Sequence, residues 1–119
     1  MKIAVTSQGN TLESPVDPRF GRAAGFVVYD DDTGSFTYMS NDQNLQLAQG
    51  AGIQAAQNVA ATGVQVVITG HVGPKAFTAL NKGGLKVFLG AAGNVKDALE
   101  DYKHGKLQAA DGPDKESHW

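Results

Sequence analysis

The sequence predicts an α/β domain with a mixed five-stranded sheet, an antiparallel hairpin and helices on both faces. Three observations predict it. In the second half, apolar, β-branched runs at residues 64–69 and 85–89 alternate with amphipathic stretches, the pattern of parallel strands joined by helical crossovers. In the first half, strand-like runs at 26–29 and 36–39 flank Asp30-Asp31-Asp32-Thr33-Gly34, a turn sequence that makes them a hairpin. Glycine, 15 of 119 residues, follows no Gly-X-Y period and so punctuates the boundaries between elements.

The elements follow in order. Ile3-Ala4-Val5 is a short buried-strand run. Residues 7–25 form a long polar loop that contains Gly9, Pro15, Pro18 and Gly21; a loop of this length inside a compact domain points to function. The hairpin comes next, and helix character begins after Ser40-Asn41-Asp42. Ile53, Ala56 and Ala60, with Ala55 and Val59 beside them, make one apolar helix face that ends at Gly63. After strand 64–69, Pro74 marks a helix start, and Ala76, Phe77 and Leu80 give it an apolar face up to Gly83-Gly84. Following strand 85–89, Asn94 is placed to cap a helix with Val95, Ala98, Leu99 and Tyr102 on one side, closed by Gly105. The expected domain spans residues 1–108, with a flexible polar tail from 109 to 119.

Composition narrows the function classes. A hydrophobic fraction of 41 % supports a single core. The net charge of −2 and pI near 5.8 oppose a general nucleic-acid binder or an anionic-membrane binder. Apolar stretches fall well short of the ~20 residues that a membrane span needs. The strand-like run begins at once after Met1-Lys2, so the expectation is a cytoplasmic chain without a signal peptide. The absence of Cys excludes disulfides, zinc–thiolate sites, protein-thiolate iron–sulfur clusters and Cys nucleophiles.

Ligands of open α/β sheets bind beyond the carboxyl ends of the parallel strands. Three segments leave those ends: the long loop after Thr6-Ser7, then Gly70-His71-Val72-Gly73, then Gly90-Ala91-Ala92-Gly93. The last two lead into helix N-termini, whose N–H groups suit an anion. The loop adds Arg19 and Arg22 around Phe20 and Gly21. Together these describe an anion basin of amides and guanidiniums; the alternative is ordinary strand-to-helix turns and solvated arginines. His71 is either a metal ligand or anion donor, or a structural histidine. His104 reads as a helix-end cation, and the Asp30–Asp32 run as a hairpin turn. No nucleophile elbow or catalytic triad is present, and no carboxylates stand at the central strand ends to hold the paired cations of a nuclease.

Ser14-Pro15-Val16-Asp17-Pro18-Arg19-Phe20-Gly21-Arg22-Ala23 resembles the S-x-V-x-x-x-F-G-R-A loop of the dinitrogenase iron–molybdenum cofactor biosynthesis family, which includes the NifX- and NafY-type carriers and the C-terminal part of NifB. Val28-Tyr29-Asp30, the segment from Val67 through His71 to Pro74, and Gly84-Leu85-Lys86-Val87-Phe88 are similar in the same order. The resemblance implies a ribonuclease H-like, three-layer fold without nuclease chemistry. It also implies no enzymatic turnover and non-covalent carriage of a preformed metal–sulfide cluster. Small Cys-free members imply a molybdenum–copper–sulfide cluster; others imply an iron–molybdenum cofactor-type cluster. Where many members carry a His-Gly pair at the start of the first long helix, this chain has Gln49-Gly50, which favours an outer-sphere grip.

The candidate cofactor-binding residues are thus Ser14, Arg19, Phe20, Gly21, Arg22, Gly70, His71, Val72, Gly73, Gly90, Ala91 and Gly93, with His71 as the candidate metal ligand. Phe20, Val72 and Ala91 would supply apolar contact to sulfur. The expected partner is the cluster itself, with P-loop ATPases or other cluster-handling proteins beside it, and no nucleic acid or membrane. The alternative functions are a regulatory interaction module that works with P-loop ATPases and a metal-dependent, nuclease-like enzyme.

Overall fold

The computed structural model describes residues 1–45 and 50–112. Gln49, at the position of the histidine in the family's His-Gly pair, lies outside the described residues, as do His118 and Trp119. Among the described residues, six strands form one mixed sheet, one more than expected: β1 (Lys2–Ser7), β2 (Gly25–Asp30), β3 (Phe36–Ser40), β4 (Val66–Ile68), β5 (Lys86–Leu89) and β6 (Gln108–Ala109). Their spatial order is β3-β2-β1-β4-β5-β6. β1, β4 and β5 run parallel, while β2, β3 and β6 pair antiparallel with their neighbours. The sixth strand occupies the segment where the tail was expected to begin. It is short and exposed, so it carries no period for sequence reasoning to detect.

The helices are α1 (Asp42–Leu45), α2 (Ala51–Ala61), α3 (Pro74–Lys82) and α4 (Val95–Lys103). The strand pleat sends alternate side chains to opposite faces. Ala4, Val28, Val67 and Val87 meet α2 and α3 through Ala55, Ala56, Val59, Ala76 and Leu80. Ile3, Val5, Val27, Val66 and Ile68 meet α4 through Val95, Ala98 and Leu99. β1 is covered on both faces, which explains its run of buried residues. The α2 face is rotated from expectation. Ala51, Ala55, Ala56 and Val59 are buried, whereas Ile53 is only half-buried because it turns toward α3. Asn94 caps α4 as expected: its Oδ1 accepts from the Asp97 amide at 2.7 Å, and the Asp97 carboxylate accepts from the Asn94 amide at 3.3 Å.

Candidate functional site: the carboxyl rim of the sheet

The long loop is not a free excursion; it is laced across the carboxyl ends of three strands. The Asp17 amide donates to the Thr6 carbonyl at 3.0 Å, and the Thr6 hydroxyl donates to the Asp17 carbonyl at 2.6 Å. Thr6 also reaches the Thr69 hydroxyl at 3.0 Å, which links the β1 and β4 ends under the loop. The His71 amide donates to Pro18 O at 2.8 Å and the Phe20 amide to His71 O at 3.2 Å, so Arg19 and His71 pair like one rung of a parallel sheet. Gly70 is required here: a Cβ would lie 2.8 Å from Pro18 O and 2.9 Å from Pro18 Cα.

Further along, the Val16 amide donates to Gly93 O, and the Val95 and Lys96 amides donate to Ser14 O and Leu12 O, each at 2.9 Å. Ser14 also folds the loop on itself, since its Oγ accepts from the Thr11 amide at 3.1 Å. Asn41, fully buried, fastens the loop's far end by donating to Gly21 O and Ala23 O.

The structure therefore brings the Arg19 backbone, the 70–73 turn and the 90–93 turn to one rim. Arg22 follows on the same strap and is half-buried. Asp17, 4 % exposed, accepts from the Arg19 amide at 3.1 Å and stands 3.6 Å from Arg19 Nε. The carboxylate thus holds the inner edge of a guanidinium whose side chain is half-exposed.

Three expectations are revised. The α4 N-terminus offers no donor to a ligand, because the loop and the capping box take the amides of Asn94, Val95, Lys96 and Asp97. The amides of Gly90 and Ala91 are likewise given to Gly70 O and Thr69 O, so the glycine turns stitch the rim more than they line it. Gly90 takes φ +85°, a left-handed conformation that favours glycine at this corner. Finally, Phe20 and Val72 are fully buried in the core beneath α2 and α3, and Ala91 is nearly so on the α4 side. They anchor the loop and turns.

Sequence reasoning missed the far wall. A cleft of about 460 Å³ opens beside His71, between Gly70, Leu89 and Gly90 on one side and the segment from Gln108 to Gly112 on the other. β6 builds that wall: Leu89 and Phe88 pair with Gln108 and Ala109, and the Ala110 amide donates to Val87 O at 2.8 Å. The half-buried Leu107 and Ala110 were the available signal, at the end of a segment that reads as polar. Among the described residues, no set of three His, Asp or Glu side chains gathers into a metal-ligating group. No described helix is long and apolar enough to cross a membrane.

The rim thus combines a thiol-free surface, an arginine-bearing strap and a cleft. The chain belongs to the dinitrogenase iron-molybdenum cofactor family, whose profile matches residues 1–105. Its members are cluster-binding or carrier proteins rather than enzymes. The chain is similar to the orange protein of Desulfovibrio gigas, solved in its apo form, at 47 % identity over 96 % of each chain with a TM-score of 0.93. A Thermotoga protein described as a NifB protein is 32 % identical over 91 % of each chain, with a TM-score of 0.80. An uncharacterized protein of Methanocaldococcus jannaschii is 26 % identical over 110 residues, covering 91 % of this chain and 90 % of that one.

Proposed function

We propose that this chain carries a preformed, anionic metal–sulfide cluster at the carboxyl rim, non-covalently and in the cytoplasm. The cluster is of the molybdenum–copper type, with an iron–molybdenum cofactor-type cluster as the related alternative. Such a cluster brings its own sulfide, so a chain without Cys suits it. The observation that carries the reading is the pairing of Arg19 with His71 at the mouth of the cleft. The pairing is between backbones: it holds the arginine-bearing strap against the His71 turn, whose cleft is also lined by Leu89, Ala109, Ala110 and the carboxylate-bearing Asp111. Charge-assisted hydrogen bonds from Arg are the stronger kind, and soft sulfur tolerates the apolar wall. The cleft volume falls within the ~300–1,000 Å³ range of small-ligand sites.

Arg19, Arg22 and His71 are the residues assigned to the cluster, with Gly70, Gly73, Gly90 and Gly93 shaping the floor and Ser14 and Gly21 holding the strap. The buried Phe20, Val72 and Ala91 support it from below. The strand order from β3 to β5 and the antiparallel hairpin support a ribonuclease H-like scaffold. Exchange partners would be other cluster-handling proteins, P-loop ATPases among them. Reconstitution with tetrathiomolybdate and copper tests the reading. In Arg19→Ala/Arg22→Ala the visible absorption of the bound cluster is expected to need roughly a hundredfold more ligand, since two charged hydrogen bonds of ~1.5 kcal/mol each are lost. Unchanged absorption and affinity would remove the arginines from the site.

A further inference from the structure

All 12 acidic residues of the chain lie outside the stretch from Gln43 to Lys96. That stretch contains both helices on one face of the sheet. α2 carries no charged residue, and α3 carries only Lys75 and Lys82. The opposite side carries the acids: Asp97, Glu100 and Asp101 on α4, and Asp30, Asp31 and Asp32 in the hairpin turn. Within a chain of net charge −2, α2 and α3 thus carry cationic charge only, with Asp42 of the neighbouring α1 the acid next to them in sequence.

That face holds a groove of about 530 Å³ between α2 and α3. Ile53, Pro74 and Ala79 supply apolar floor, and Lys75 and Lys82 stand seven residues apart on the same helix face, two turns along its length. Both lysines are exposed, and among the described residues no carboxylate lies within ion-pair distance of either. An apolar strip bordered by uncompensated cations is complementary to one kind of polypeptide surface: an apolar stripe edged with carboxylates. The groove's Pro74 end follows the rim turn in the chain, because α3 begins at Pro74, directly after Gly73.

We propose that the α2–α3 groove is a docking site for an acidic amphipathic segment of a partner protein. Its Pro74 end would place that partner beside the cleft. The docking stands on the groove and the charge sorting alone; only its use in handing over a cluster rests on the carrier reading.

The test uses the full chain, isotope-labelled, and a synthetic helical peptide with a leucine stripe flanked by glutamates. A peptide with the same stripe flanked by lysines is the control. The glutamate peptide is expected to shift the amides of Ile53, Gln57, Thr78 and Ala79, with affinity that falls as salt rises. Lys75→Glu/Lys82→Glu should weaken it at least tenfold, and Lys75→Gln/Lys82→Gln less so. Uptake of tetrathiomolybdate and copper by these variants should be unchanged. Equal binding of the lysine peptide, shifts confined to other surfaces, or full affinity in the glutamate variant would overturn the proposal. So would groove shifts that track protein concentration without peptide, which would assign the face to a second copy. Preferential binding of anionic vesicles or of a short RNA through the same lysines would overturn it too. If the chain fails to take up the cluster while the peptide still binds, the carrier reading falls and the docking site stands.

Discussion

At Phe20 the strap that carries Arg19 is fixed to the core. Its ring sits 5.5 Å from that of Phe26, tilted by 50°, and none of the residue is exposed. A buried aromatic truncated to Ala costs ~3–5 kcal/mol through lost burial and the cavity left behind. Phe20→Ala is therefore expected to lower the denaturant-derived unfolding free energy by that amount, and Phe20→Leu by much less. A ligand contact would instead leave stability unchanged and weaken only cluster uptake. Arg19 and His71 were legible in the sequence because charged or ionisable residues in glycine-rich segments at strand ends stand out. The burial of Phe20 and Val72 was not, because a motif gives residue identity without direction. Asn41 was invisible for a similar reason: an asparagine at a helix entrance reads as a cap, and only the fold shows it donating to Gly21 O and Ala23 O.

Among the elements, α4 and the loop are mutually dependent. Asn94 both caps the helix and pairs with Pro15. Asn94→Ala is expected to cost ~1 kcal/mol, the usual worth of an N-cap, read as a drop in the thermal midpoint. Amide exchange should rise at Val16 and Val95, which share this junction with the loop. Strands β1, β2, β4 and β5 were legible from β-branched and apolar runs, and the ends of α2, α3 and α4 from glycine. The start of helix at α1 was legible after Ser40-Asn41-Asp42, whereas β6 was not, since two residues are too few to show a period. The turn of α2 about its axis escaped because alanines occupy both its core side and its flanks.

At the scale of the whole molecule, the chain's first residue is tied to the hairpin turn. The Met1 amine lies 2.8 Å from Asp32, and that hydrogen bond raises its pKa above the ordinary 8.0. A group whose folded pKa is raised contributes stability at pH values below its unfolded pKa and loses it as pH climbs through the folded value. Thermal stability should thus decline gently from pH 8 upward, and Asp32→Asn should flatten that decline. Measurement below pH 10 keeps the comparison clear of Tyr38, raised by burial and then by Asp42, and of Lys103, raised by its hydrogen bond to Asp31. Both groups of this pair are exposed, so the slope is shallow.

The neighbourhood of His71 borrows from residues as far apart as Pro18 and Gly112. No contiguous fragment of the polypeptide can reproduce it, so a proteolytic piece would lose the crevice outright. By mass action, whatever occupies that crevice also locks the distant segments together, and loading and resistance to unfolding rise in step.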